Sequence, residues 1–262
     1  MFINDVDFIV PRFSSGEMKL KIDDLTRLIK NNSVKIVYNG EISIFELFII
    51  IKYYKSIGTQ ITLYLGYLPY QRMDKHNDIE VCTLELVAQI INSLGIDQVF
   101  VCEPHCNLQP INNAKPICLV YKLLDIMKKD LNLDGTETLI FPDKGSANRY
   151  SKVKSKNTVY FEKVRSLDTG LIISHQMHGE LSNSNRVIIV DDIVSTGDTL
   201  INIIKTIPNN KEIFVVCGHF EQNKYNQRLT SNPQIKAIYT SNSLTKEPYA
   251  NLKIFDIKDL IK

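Results

Sequence analysis

Two adjacent carboxylates, Asp191 and Asp192, followed by Ser195, Thr196, Gly197, Asp198 and Thr199, have the clearest capacity for chemistry in this chain. Gly197 lets the backbone turn with its amides converging. The hydroxyls of Ser195, Thr196 and Thr199 add donors, and a helix starting near Leu200 adds positive potential, so the segment predicts a phosphate cradle. Asp191 and Asp192 accept hydrogen bonds only, which suits the two hydroxyls of a vicinal diol or, less directly, a magnesium ion. A phosphate and a diol in one place describe a ribose phosphate. The plainer reading is an ordinary strand and capped helix with solvated acids.

Chemistry of this kind needs a strand to deliver the acids and a helix to follow them. The four consecutive β-branched residues Val187 to Val190 predict a buried parallel strand, and Leu200 to Ile207 predicts a helix closed by Pro208. Strand and helix alternate on both sides of it. Val6–Val10 and Met18–Ile22 predict strands joined by the turn Arg12 to Glu17, and Asp23 caps a short helix to Asn31. Strands follow at Val34–Tyr38, Gln60–Tyr64 and Gln98–Cys102, with helices from Ile44 towards Gly58, over Thr83–Leu94 and over Leu119–Lys129. Beyond the polar stretch Asn132 to Thr136 the pattern repeats: strand Thr138–Phe141, helix Ser146–Lys154, strands Thr158–Phe161 and Leu171–Ser174, then the segment above. Strand Ile213–Cys217, helix Glu221–Leu229, strand Ile235–Tyr239 and a last strand and helical tail from Lys253 complete it. This predicts an α/β fold of two similar domains, 1–131 and 132–262, with largely parallel sheets flanked by helices and a tail that packs back on the first domain. No GxGxxG and no GxxxxGK[ST] occurs, so neither a dinucleotide fold nor a P-loop kinase is supported.

Three further places hold reactive residues. Gly66 to Lys75, which includes Arg72 and Asp74, concentrates aromatic and charged residues after a strand and predicts a ligand loop. His105 follows the strand that ends at Cys102, where open α/β sheets keep ligands. Cys102, His105 and Cys106 could be imagined as zinc ligands, but no further ligand pair lies at zinc spacing, and Cys82 and Cys118 read as core residues.

Composition narrows the class. A net charge of +2 with lysines spread along 262 residues leaves no electrostatic footprint for nucleic acid or an anionic membrane. The longest apolar run, Ile42 to Ile51, is interrupted by Ser43 and Glu46 and is too short for a membrane span. Asn4, Asp5 and Asp7 stand where a leader would need basic and apolar residues, and five cysteines without a CxxC fit a reducing compartment. The expectation is a cytoplasmic protein.

The loop from Asp191 to Thr199 resembles the phosphoribosyl-diphosphate loop of type I phosphoribosyltransferases, and the chain from about Arg12 onward resembles the ribose-phosphate diphosphokinases. The resemblance implies that Phe13, Ser15 and Glu17 hold the adenine of ATP bound to a neighbouring subunit. Arg72 and Asp74 would lie beside ATP, His105 at the magnesium-ATP site, and Asp143 near the metal and ribose. Lys163 and Arg165 match the Lys-x-Arg that opens the family's catalytic loop. Asp191, Asp192, Ser195, Thr196, Gly197, Asp198 and Thr199 would hold the ribose phosphate. Implied with them are magnesium, ATP as co-substrate, a homo-oligomer of two or six chains, and transfer of the β,γ-diphosphate of ATP to an anomeric hydroxyl with release of AMP. A plain phosphoribosyltransferase leaves the adenine turn, His105 and the Lys-x-Arg pair without purpose. A regulator that only binds ribose phosphate has no need of Lys163 and Arg165.

The chain departs from that family's pattern in its shortened start, in Met73 for a glutamine, in Ser195 for an acid and in Asp198 for a glycine. A carboxylate about 5 Å from a phosphate costs on the order of 3 kcal/mol per phosphate charge at an effective dielectric near 20. A free 5-phosphate carries nearly two charges and a phosphodiester one. On this ground the expected acceptor is ADP-ribose, whose 1-diphosphate could accept a base such as nicotinamide; the alternative is ribose 5-phosphate.

Overall fold

The computed structural model describes residues 1–76, 78–153, 155–165, 172–249 and 251–262. It contains two compact units, one of residues 1–117 with 261–262, the other of residues 118–260. The polar stretch after Leu131, where the sequence suggests a boundary, is not where contacts divide the chain, because the helix before it packs on strands of the second unit.

The first unit runs β1 (Phe2–Ile3), β2 (Val6–Asp7), α1 (Ile22–Thr26), β3 (Ser33–Tyr38), α2 (Ile44–Ser56), β4 (Gln60–Leu65), α3 (Thr83–Ser93), β5 (Gln98–Cys102) and β6 (Ala114–Ile117). Its sheet order is β2-β1-β3-β4-β5-β6, parallel from β3 to β6 and antiparallel where β1 meets β2 and β3. Ser43 caps α2 with Glu46 reciprocating, and the helix buries Leu47, Ile50, Ile51 and Tyr54, the spacing of one helical face. Four expectations fail here. The strand expected at Val6–Val10 ends at Asp7, and the helix expected from an Asp23 cap to Asn31 runs Ile22–Thr26 with Lys21 as its N-cap. Met18–Ile22 is not a strand: only an isolated bridge joins Arg12 to Met18, and Ile22 already opens α1. The proline-containing segment read as a loop includes β6, tolerated because Pro116 lies on a strand at the sheet edge.

The second unit runs α4 (Leu119–Leu131), β7 (Thr138–Phe141), α5 (Lys144–Arg149), β8 (Asn157–Arg165), β9 (Ile172–His178), β10 (Arg186–Val194), α6 (Asp198–Ile204), β11 (Glu212–Phe220), α7 (Gln227–Thr230), β12 (Ile235–Ser241), β13 (Leu252–Phe255) and α8 (Ile257–Leu260). Its sheet order is β13-β12-β11-β10-β7-β8-β9, parallel except for the β8–β9 pair. The core gathers Val187 and Ile189 of β10, Ile213 and Val215 of β11, and Leu200, Ile203 and Ile204 of α6. β10 is longer than its apolar run, so Asp191 and Asp192 lie inside the strand. The helix expected to run to Lys154 ends at Arg149, and Lys154 is outside the described residues, as is Leu171. The helix expected over Glu221–Leu229 forms only at Gln227–Thr230, because Asn223 and Asn226 use their side chains to hold backbone groups instead. Among the described residues no helix is long and apolar enough to cross a membrane.

Ser43→Ala should lower stability by about 1 kcal/mol, read as a fall in the midpoint of thermal unfolding. Glu46 has a second partner: its hydrogen bond with Arg12 holds its carboxyl down at about 2. A lowered acid value means the tether is complete above the ordinary carboxylate range and is lost as pH falls from there through about 2. Glu46→Gln, which keeps the cap but not the charge, should speed amide exchange at Phe13 and Gly16 at neutral pH.

Candidate active site

The parallel sheet of the second unit delivers three acids to the carboxyl ends of neighbouring strands. Asp143 follows β7 and caps α5 by accepting the Ser146 amide at 2.8 Å. Asp191 accepts the Ser146 hydroxyl at 3.1 Å and its neighbour's amide at 3.0 Å. Asp192 is buried and pairs with Arg149 at 3.1 Å, while its carboxylate also accepts the Ile193 amide at 2.8 Å. The two adjacent acids are therefore not equivalent. Asp192 is neutralised by an arginine of α5, whereas Asp191 is pushed well above the ordinary carboxylate range by desolvation first, then by the charges of Asp192 and Asp143. A cation or a hydroxyl pair would relieve that accumulation of negative charge.

The loop that follows is closed by its own side chains. Gly197 has φ +78°, and a Cβ there would meet Leu229 Cδ1 at 2.5 Å, so both conformation and packing require glycine. Two of the three hydroxyls expected to face a phosphate are turned elsewhere: Ser195 donates to Glu221, and Thr196 donates to Asp198 at 2.6 Å. Asn223 and Asn226 hold the Ser195 carbonyl at 3.2 and 3.0 Å. Glu221 follows β11 and brings a carboxylate to the place where the sequence has serine instead of an acid.

Asp198 does not stand as an isolated charge. Its side chain is 63% exposed and pairs with Arg228 of α7, which also donates to the Thr196 carbonyl at 3.1 Å. The bonds from Thr196 and then Arg228 hold the Asp198 carboxyl below its ordinary range. The single uncompensated charge assumed in the argument for ADP-ribose is corrected to an ion pair.

The first unit presents its candidates in three places. The turn Arg12 to Glu17 is closed by Phe13 N–H on the Glu17 carbonyl and Gly16 N–H on the Phe13 carbonyl, both at 2.9 Å, and Gly16 has φ +89°. Arg12 anchors it by donating to Glu46 at 2.6 Å and to the Gly16 carbonyl at 2.7 Å. Ser15 donates to Glu17 at 2.9 Å, Phe13 is 51% exposed, and the Lys19 ammonium lies 5.2 Å from its ring centroid. The turn that the sequence predicts between two strands is thus fastened by its own hydrogen bonds and carries an exposed aromatic ring. Exposed Arg72 and half-buried Asp74 follow β4, and exposed His105 follows the adjacent β5. Gln71, fully buried, accepts the His105 amide at 2.8 Å and ties these two loops together. Cys102 is buried with its thiol pushed up to about 12 by desolvation.

Lys163 and Arg165 occupy β8, where they face His175 and Ile172 of β9 in register; their side chains lie outside the described part of the structure. Of the expected site residues, the second unit brings Asp143, Asp191 and Asp192 together at one edge of its sheet.

Ribose-phosphate pyrophosphokinases align with most of this chain. That of Sulfurisphaera tokodaii is 25% identical, covering 78% of this chain and 72% of its own. Those of Sulfolobus acidocaldarius and Mycoplasma genitalium are 26% and 24% identical, over 82% and 98% of this chain and 76% and 81% of theirs. Along most of its length the chain is similar to ribose-phosphate pyrophosphokinases. No family model matches the chain. The fold is shared with the phosphoribosylpyrophosphate synthetase of Mycobacterium smegmatis, which superposes with a TM-score of 0.74 at 18% identity, over 97% of this chain and 87% of that one. The chain also carries Arg149, Ser146, Gln71, Glu221 and Arg228 as supporting residues that the sequence did not single out. Gln71 sits inside a loop already suspected, and Arg149 closes a helix that follows Asp143, but no spacing rule links either to its partner.

Asp192→Asn should bring the Asp191 titration down towards the ordinary carboxylate range, because it removes the nearest like charge and frees Arg149. Carboxyl NMR of the two proteins over pH would show it; an unchanged Asp191 titration would mean that desolvation alone sets the value.

Proposed function

We propose that this chain transfers the β,γ-diphosphate of ATP to the anomeric hydroxyl of a ribose 5-phosphate unit and releases AMP. The observation that carries the reading is the acid cluster on β10 leading into a loop that only glycine can close, in a chain whose relatives are pyrophosphokinases. In this reading Asp191 accepts from the ribose hydroxyls, and the amides of Thr196 to Thr199 with the Thr199 hydroxyl receive the 5-phosphate. The aromatic Phe13, with Ser15 and Glu17, takes the adenine of an ATP bound by a neighbouring copy, so the working species is a homo-oligomer, a dimer or hexamer. Arg72, Asp74 and His105 act on ATP in the first unit.

Magnesium fits the donors of the second unit, where Asp143 supplies a hard oxygen and the charge that raises Asp191 awaits a cation. When bound, the ion neutralises phosphate charge in the transfer. His105 offers a nitrogen, so we place it on ATP phosphate oxygens instead of on the ion. Lys163 and Arg165 stabilise charge that spreads onto the bridging and equatorial oxygens during in-line attack at the β-phosphorus. Exclusion of water from that site protects the diphosphate from hydrolysis.

Incubation with magnesium, ATP and a ribose phosphate should release AMP, followed by chromatography. Lys163→Ala and Arg165→Ala should each cut turnover by roughly 10³-fold or more with little change in KM. Tight binding of ribose phosphate without AMP release would leave a binding protein. Inactive Phe13→Ala and Lys163→Ala chains, mixed, should regain activity; mixtures as inactive as their components would rule out shared sites.

The Asp198–Arg228 pair bears on the order of the two acceptor readings. With Arg228 cancelling the charge, ribose 5-phosphate is the first reading. ADP-ribose is the second, favoured by the capture of the Thr196 hydroxyl by Asp198, which leaves fewer donors for a dianionic phosphate. Its product would be ADP-ribose 1-diphosphate, an intermediate suited to NAD biosynthesis. Comparison of kcat/KM on both acceptors tests this. Arg228→Ala should penalise ribose 5-phosphate more than ADP-ribose, by at least roughly tenfold if the unpaired carboxylate then acts at the Coulomb magnitude above. Equal losses on the two would show that this pair does not read phosphate charge.

A further inference from the structure

We propose that His76, Cys82 and Glu85 form a zinc-binding site that fastens the loop between β4 and α3. One ligand atom from each of the three lies within 4.8 Å of the other two. His76 Nε2 and Glu85 Oε1 are 2.7 Å apart. Cys82 is the residue before α3 and Glu85 stands in its first turn, so three residues of separation bring both side chains to the same end of the helix. His76 arrives from the preceding loop, whose backbone is secured to the helix by Leu84 N–H on the Met73 carbonyl at 3.1 Å.

The donor set selects the metal. A thiolate, an imidazole and a carboxylate are borderline-soft ligands that suit zinc and do not suit magnesium, which takes oxygen in octahedral geometry. Zinc bonds of about 2.0–2.3 Å at tetrahedral angles separate ligand atoms by roughly 3.3–3.8 Å. To reach that, the His76–Glu85 pair opens from 2.7 Å and the Cys82 sulfur draws in from a separation of at most 4.8 Å. Cys82 is buried while His76 and Glu85 are 74% and 47% exposed in their side chains, so sulfur lies on the protein side and an open fourth position faces solvent, where water completes the set. Binding forms the sulfur–zinc bond as the thiol proton leaves to solvent, His76 coordinates as the neutral ring, and the oxidation state of zinc does not change.

The site has a mechanical consequence. Seventeen residues, 66–82, separate β4 from α3 without regular structure in the described residues, and Arg72 and Asp74 lie among them. A metal joining His76 to the start of α3 closes the carboxyl-terminal end of that span. The site itself does not depend on the diphosphokinase reading, because none of its ligands is a residue assigned to ATP or ribose.

The test uses the intact protein after chelation, with saturating magnesium to occupy oxygen sites. Titration with Co²⁺ should give one equivalent bound with a sulfur-to-cobalt charge-transfer absorption, displaced by Zn²⁺. Cys82→Ser should abolish that absorption. His76→Ala, at an exposed position, should keep the fold by circular dichroism and bind at least roughly tenfold more weakly. Zinc should also slow proteolysis between Gly66 and Cys82 in the natural protein and not in His76→Ala. Absence of the sulfur band, or its persistence in Cys82→Ser, would overturn the site, and zinc-independent cleavage would overturn its fastening role.

Discussion

The second unit depends on β10 lying between β7 and β11 in parallel register. Val187, Ile188 and Ile189 pair with Thr138, Leu139 and Ile140 on one side, and Val187 to Val190 pair with Ile213 to Val216 on the other. Parallel strands end on the same side of a sheet, so the residues after β7, β10 and β11 must meet there. That constraint puts Asp143, Asp191 and Glu221 at one edge although they are far apart in the chain. A shift of one residue in β10 would turn Asp191 to the opposite face of the sheet.

Charge at that edge is apportioned by helices. Arg149, at the end of α5, neutralises Asp192 and leaves Asp191 as the group with strained ionisation. Arg228 on α7 performs a similar service for Asp198. Each arginine converts an acid that would repel phosphate into a neutral pair. The cluster therefore concentrates its unmet demand for positive charge on Asp191, where a ribose hydroxyl or magnesium would be most useful.

In the first unit the same economy of contacts appears at Glu46. One carboxylate caps α2 and holds Arg12, which in turn holds the Gly16 carbonyl, so the turn with exposed Phe13 is fixed by a helix terminus and not by a strand. Gln71 plays a comparable part between the loops after β4 and β5. Both are side-chain links between segments whose backbones are irregular, which is why neither turn nor loop shows a periodic signature.

What the sequence determined by itself was the order of strands and helices, the position of the phosphate-type loop, and the family resemblance carried by short motifs in sequence order. These are legible because burial repeats with the period of each element, as in the Leu47, Ile50, Ile51 and Tyr54 face of α2, and because Gly197 marks a conformation few residues accept. Where periodicity was short or absent the reading failed: β6 carries a proline, α7 has four residues, and the strand expected after the first turn is a single bridge. Only the tertiary structure decided which acid is neutralised, which hydroxyls remain for a ligand, and that Asp198 has Arg228 as its partner across 30 residues of chain. Charge compensation acts through space between side chains of different elements, and no local pattern in the chain encodes which elements will be neighbours.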